Sequence, residues 1–304
     1  MKKSNKNGSE GLMKKIYRYR ASYVLTAPFA IIFMVFTVIP VIISIYFSFT
    51  DYNVLQAPNF VGWENYRRLF FADDIFSLAI ENTLIFAVIT GPVSYLLCFI
   101  VAWFINDLPP KLRAFMTLLF YAPALTGVTT IWQLIFSGDM YGYLNSWLMK
   151  FGIINSPVQW LTDTSTIKTV VIIVVLWSSL GVSFLSFIAG LQNVDRSLFE
   201  AGAVDGIKNR YQELWYITLP SMSGQLLFSA VMAITSSFNI GPAITTLCGF
   251  PSSNYAAHTI MHHLTDYGSI RYEMGYACAI ATILFLFMVG ANIAVQKLLS
   301  KVGK

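Results

Sequence analysis

Six stretches of this 304-residue chain contain no Asp, Glu, Lys or Arg: Ala21 to Thr50, Asn82 to Asn106, Ala114 to Gly138, Thr169 to Val194, Leu214 to Thr265 and Met274 to Gln296. Each can supply the roughly 20 apolar residues that a helix needs to cross about 30 Å of hydrocarbon. Lipid offers no partners for backbone N–H and C=O groups, so helical runs of this kind dictate an all-α membrane protein. Composition agrees. Hydrophobic residues make up 56% of the chain and charged ones 12%, and the mean hydropathy of +0.62 lies outside the usual soluble range. The fifth stretch is too polar near "CGFPSSNY" to be membrane throughout. Six spans are therefore expected, at about 21–49, 80–105, 114–136, 169–191, 219–243 and 274–297, flanked by tails 1–20 and 299–304.

Basic loops resist translocation, so Lys and Arg report orientation. With the N-terminus in the cytoplasm, fifteen of the twenty Lys and Arg residues fall inside. Only Arg67, Arg68, Lys150, Lys168 and Arg271 then lie outside. Both termini are expected in the cytoplasm of a multi-pass cell-membrane protein, and the net charge of +5 needs no nucleic acid to explain it. The first span lacks a small-residue cleavage site and reads as a retained anchor. Cys98, Cys248 and Cys278 are isolated, which offers neither a disulfide framework nor a zinc site. His258 and His262 stand at i, i+4 spacing, but no third ligand accompanies them. A surface or interfacial helix accounts for them better, and no metal site is expected.

Between spans four and five, loop 195–218 holds Glu200, Asp205, Lys208, Arg210 and Glu213. Its pattern predicts two short amphipathic helices broken at Asp205-Gly206, where glycine is free to take positive φ. Pro220 suits the first turn of the next helix, with Thr218 as its N-cap. A plain connection needs less order than this; the loop presents a surface to a partner.

The run Glu200-Ala201-Gly202, Asp205-Gly206 and Ile217-Thr218-Leu219-Pro220 resembles the EAA loop of permease subunits in binding-protein-dependent ABC importers. "YFSFTDYN", "SSFNIGPAITTL" and "GYACAIATILFLF" resemble the carbohydrate-uptake branch, and Phe60, Gly62, Asn65 and Tyr66 resemble the first permease of maltose or glycerol-phosphate importers. The resemblance implies the type I importer permease fold, a second permease forming a heterodimer, two ATP-binding subunits and an extracytoplasmic solute-binding protein. It also implies that Glu200, Ala201, Gly202, Asp205, Gly206, Ile217, Leu219 and Pro220 couple to the ATPase. No G-x-x-x-x-G-K-[ST] occurs here, so no cofactor is expected on this chain, and ATP and Mg belong to the partner.

Three departures from the family pattern stand out. Gly202 replaces the second alanine, and glycine lowers helix propensity by up to about 1 kcal/mol, which predicts a softer first helix. Ten residues separate Gly206 from Ile217, one more than usual, which would rotate later side chains by about 100°. "CGFP" stands where a glycine-rich turn is common.

A sugar path needs aromatic faces and neutral hydrogen-bonding groups near mid-bilayer. Phe238 and Asn239 resemble a Phe-Asn pair that contacts sugar in the maltose importer; Tyr121, Gln133, Trp177 and Asn82 are further candidates. Gly241-Pro242 follows that pair directly. A phosphorylated glycerol compound is the alternative solute. A stand-alone secondary transporter would want acids deep in the spans or an inverted repeat, and neither occurs. A membrane enzyme would want a constellation such as HExxH or GxSxG, which is also missing.

Overall fold

The computed structural model describes residues 18–126 and 129–299; the rest of the N-terminal tail and residues 300–304 lie outside. In order, the helices are α1 (Arg20–Phe47), α2 (Glu64–Phe71), α3 (Asp74–Asn106), α4 (Pro110–Thr126), α5 (Thr129–Ile135), α6 (Tyr143–Lys150), α7 (Ile167–Ser178) and α8 (Val182–Gln192). There follow α9 (Arg196–Val204), α10 (Arg210–Ser221), α11 (Ser223–Phe238), α12 (Gly241–Cys248), α13 (Ile260–Thr265) and α14 (Met274–Leu299). Among the described residues the only extended pairing is an isolated bridge, Thr50 with Phe60.

Four segments are long and apolar enough to cross a membrane: α1, α3, the run Ile167–Gln192 and α14. Two bent pairs raise the number to six if each counts as one span. One is α4 with α5, bent by 78°; the other is α10 with α11, bent by 81° at Met222. So α10 lies almost square to α11, and the run read from the sequence as beginning at 219 bends at Met222 before α11 begins at Ser223.

Prolines explain much of the local form. Pro40 and Pro220 each sit just past a π-turn, Met34–Val38 and Leu214–Thr218. A proline ring presses on the carbonyl four residues back. Those carbonyls, of Phe36 and Tyr216, lie inside the wider turns, and both helices continue past the proline. Pro242 instead follows a true break: α11 ends at Phe238, Asn239 leaves the helical region with ψ 37°, and α12 restarts at Gly241.

At the centre, α3 packs against α7, α8 and α11. Its N-terminus is capped by Asp73, whose Oδ1 accepts the Phe76 N–H at 2.9 Å. Lipid removes the hydrophobic drive between helices, so close approach and interhelical hydrogen bonds must hold them. Ser183 of α8 and Ser229 of α11 supply such bonds, each hydroxyl donating to the other residue's carbonyl at 3.2 and 3.3 Å. A Cβ on Gly91 of α3 would stand 3.3 Å from Ser237 Oγ of α11. Three apolar clusters result: around Phe76, Phe238 and Ile280; around Phe86, Val171 and Ile244; and around Phe184, Phe187 and Met222.

At the end where α1 gives way to α2, the Phe60 to Tyr66 motif acts as a knot. Gly62 takes φ +62°, Asn65 Nδ2 donates to the Ser48 and Thr50 carbonyls at 2.9 and 2.8 Å, and the Tyr66 and Ser48 hydroxyls lie 2.7 Å apart. By contrast, α1 itself buries none of its side chains.

Candidate functional site

The break between α11 and α12 opens onto a cavity of about 410 Å³. Its polar lining includes Thr90 and Ser94 of α3, Tyr121 of α4, Thr129 of α5, Ser178 and Ser179 at the end of α7, Ser183 of α8, and Ser236, Ser237 and Asn239 at the end of α11. Among the described residues, the lining contains no Asp, Glu, Lys, Arg or His. Most of these hydroxyls spend their proton on their own helix. Thr90 donates to Phe86 O at 2.8 Å, Ser94 to Gly91 O at 3.0 Å, Ser178 to Val174 O at 2.6 Å, Ser179 to Leu176 O at 2.7 Å, and Ser237 to Ile234 O at 2.7 Å. Their oxygens therefore remain acceptors. Asn239 is exposed, and its amide has no hydrogen bond among the described residues, so it presents both donor and acceptor. Such a surface suits a neutral, hydroxyl-rich solute.

Of the residues anticipated here, Tyr121 and Asn239 meet in the cavity and the others do not. Phe238 points away from it, 6% exposed in the cluster with Ile234 and Ile280. Gln133 donates to the Thr246 carbonyl, and Trp177 packs edge-on to Trp132 with centroids 5.2 Å apart. Asn82 is fully buried elsewhere, where Nδ2 donates to the His258 and Tyr255 carbonyls at 2.8 and 3.3 Å. The hydroxyl lining went unread in the sequence. Its signal lies in the pairs Thr90/Ser94, Ser178/Ser179 and Ser236/Ser237, set in otherwise apolar runs.

Near the chain end of α3 sits the charged knuckle. Asp195 caps α9 by accepting the Ser197 N–H at 3.0 Å. The helix stops in a Schellman arrangement: Ile207 N–H returns to Gly202 O at 2.9 Å, Gly206 N–H to Ala203 O at 3.3 Å, and Gly206 holds φ +94°. The break falls where the sequence puts it. Asn209 then caps α10 by accepting the Gln212 N–H at 2.9 Å. Thr218 is therefore no N-cap. It lies within a continuous helix, and its hydroxyl donates to Glu213 O at 3.3 Å.

Both departures in this loop have a structural account. A Cβ at Gly202 would come within 2.7 Å of Ile217 Cδ1 and 3.0 Å of Ile207 Cδ1, so glycine leaves room for the two helices to meet there. The extra residue is absorbed by the π-turn Leu214–Thr218, which holds one more residue than an α-turn. Ile217 consequently remains buried, at 8% exposure. Glu200, Ala201, Asp205 and Pro220 are left exposed, with Leu219 half-buried.

The histidines overturn their expectation. His258, His262 and His263 are 2%, 4% and 2% exposed, not on a surface helix, because the 250–270 connection folds back onto α3 and α14. His263 Nε2 lies 3.0 Å from Asp73 Oδ2, and His258 Nε2 lies 3.4 Å from His263 Nδ1. Tyr276 donates to the same carboxylate at 2.7 Å. Burial pushes the Asp73 carboxyl up, but the hydrogen bonds from His263, Tyr276 and the Phe76 N–H outweigh it and hold it well below the usual range. The Thr259 N–H donates to His262 Nδ1 at 3.3 Å, closing a capping box on α13, and Thr259 Oγ1 lies 2.8 Å from the same nitrogen. No cluster of three or more His, Cys, Asp or Glu among the described residues could hold a metal ion.

Among the described residues, an all-helical chain with four to six candidate membrane spans thus carries a broken helix that opens on a polar cavity. No family model matches the chain. It is 31% identical over 293 residues to the probable ABC transporter permease protein YesP of Bacillus subtilis, covering 93% of this chain and 92% of the relative. Against the arabinooligosaccharides transport system permease protein AraP of the same organism it is 30% identical over 282 residues, covering 91% and 88%. The chain belongs to the sugar permeases of ABC transporters. Its fold matches a chain in the crystal structure of a bacterial alginate ABC transporter in complex with alginate pentasaccharide-bound periplasmic protein, with a TM-score of 0.77 over 97% of this chain and 99% of that one, at 21% identity.

Proposed function

We propose that this chain is one permease of an ATP-driven importer carrying a neutral oligosaccharide across the cell membrane. It crosses six times with both termini in the cytoplasm, pairs with a second permease, and receives solute from an extracytoplasmic binding protein. Two ATP-binding subunits, which use the ATP and Mg, dock on α9 through Glu200, Ala201 and the turn at Asp205-Gly206. Their closure shifts the spans between inward-open and outward-open states.

The observation that carries the choice of solute is the cavity whose described lining presents hydroxyls and Asn239 and no ionised group. A phosphate ester would call for Arg or Lys there. AraP, a relative by sequence, is named for arabinooligosaccharides, which supports the same reading.

The test is uptake of labelled neutral oligosaccharides and of sn-glycerol 3-phosphate by cells holding the whole transporter. Leaving a sugar hydroxyl unpartnered in such a site costs a large factor. Asn239→Leu should cut oligosaccharide uptake about tenfold or more at unchanged membrane level. Uptake of the phosphate ester alone, or full sugar uptake by Asn239→Leu, overturns the reading.

A further inference from the structure

At the joint between α10 and the end of α3, one side chain makes three contacts. Arg210 opens α10, and its Nη2 stands 2.5 Å from Asp107 Oδ2, immediately past α3. The same nitrogen donates to the Trp103 carbonyl at 3.1 Å, and Cζ lies 4.2 Å from the Trp103 ring centroid. Next to it, Tyr211 packs on Trp103 with centroids 5.9 Å apart, and Arg113 donates to the Asn106 carbonyl at 3.2 Å. The last carbonyls of α3 are thus covered by cations, as a helix C-terminus favours. Arginine alone can stack on the indole while pairing with a carboxylate. On its other side, α10 is locked to α9 by Ile217 against Gly202.

Half-exposed ion pairs contribute little to stability, so a bare stability role does not call for this geometry. What the three contacts fix is direction: Arg210 joins a unit made of α9 and α10 to the end of α3. From Trp103, helix α3 runs unbroken back to Ser94 and, past Pro92, to Thr90, both of which line the cavity. They lie about 14 and 20 Å from Trp103 at 1.5 Å per residue.

We propose that Arg210, held by Asp107 and Trp103, is a positioning residue that carries displacement of α9 into α3 and so into the wall of the solute cavity. The proposal rests on the importer reading above. It assigns the stroke a route through α3 as well as through α11, to which α10 is covalently joined.

The experiment uses the whole transporter in membranes, with Cys98, Cys248 and Cys278 replaced by alanine and Asn239→Cys as the reporter. The measured quantity is the rate of labelling by 2-aminoethyl methanethiosulfonate, without nucleotide and after trapping with ATP and vanadate. With Arg210 present, trapping should change the rate. In Arg210→Ala the change should shrink about tenfold while the ATPase still copurifies, and Arg210→Lys, which keeps the charge but not the stack, should fall between. A full response in Arg210→Ala overturns the link. Loss of the ATPase from Arg210→Ala also overturns it, because Arg210 then belongs to docking. No nucleotide response with Arg210 intact removes the importer reading itself, and the link with it.

Discussion

Acidification should loosen the folded-back connection that holds all three histidines of the chain. Burial pulls His258 down to about 3, with the charges of His262 and His263 adding to the fall and Asp73 opposing it. Burial likewise pulls His262 down to about 4, opposed by a hydrogen bond with the Gly241 backbone. The ordinary value for both is 6.5. In each case the folded value is the lower one, so the unfolded segment takes up protons first as pH falls. The stabilisation is complete above about pH 6.5, declines as pH drops through the interval below it, and is gone once the folded values of about 3 and 4 are passed. At about pH 5 each histidine has forfeited roughly 2 kcal/mol, from 1.36 kcal/mol per unit over about 1.5 units. The energy is felt where the connection is tied to α3, through Thr83 Oγ1, which accepts the Ile260 N–H at 2.9 Å, and through Asn82. Histidine labelled with carbon-13 at Cε1 reads this directly, because the chain contains only three. In nanodiscs, the His258 and His262 resonances should keep their neutral positions down to about pH 5. Hydrogen exchange over 252–270, corrected for intrinsic rates, should rise below that. Midpoints near 6.5 for either residue would show the segment open to water and refute the reasoning.

Two further outcomes follow from the same structure. Gly206→Ala places a Cβ at φ +94° with nothing within 4 Å, so the cost is backbone strain of about 1–2 kcal/mol and not a clash; copurification of the ATPase should drop several-fold, and unchanged recovery would mean that the turn does not shape the docking surface. Asn82→Leu strips the donor from the Tyr255 and His258 carbonyls, and a lost partner of this kind costs about 1–3 kcal/mol. Its melting temperature should fall by a few degrees relative to wild type in the same detergent, and an unaltered melt would place water on those carbonyls.

How far the sequence could be read depended on the range of the physics involved. The apolar runs, the Asp205-Gly206 break and the helix-forming stretches around it are local, and they stand out in the chain itself. Local rules misled where a distant segment decided the outcome. Gly202 is a poor helix residue on its own terms, yet it is the gap that admits Ile217 and Ile207. Thr218 has the type and position of a cap, but the helix had already begun at Arg210 under the Asn209 side chain. The histidines looked like surface residues because Asp73, their carboxylate, lies 190 residues from His263 in sequence.

The sequence by itself determined that this is an all-helical membrane chain, because lipid tolerates no unpaired backbone and the uncharged runs have the length to cross. It also determined the family, through residues that need only be present in order. Tertiary structure alone decided which polar groups share a cavity. Phe238 and Asn239 are neighbours in the chain, but the helix ends between them, and packing against α3 and α14 sends the ring into the core while the amide meets the hydroxyls. Five of those hydroxyls, from α3, the end of α7 and α11, donate to backbone carbonyls three or four residues back, which makes them look satisfied and inert. They converge because serine and threonine are small enough to let helices approach in a solvent that gives apolar side chains no reason to associate.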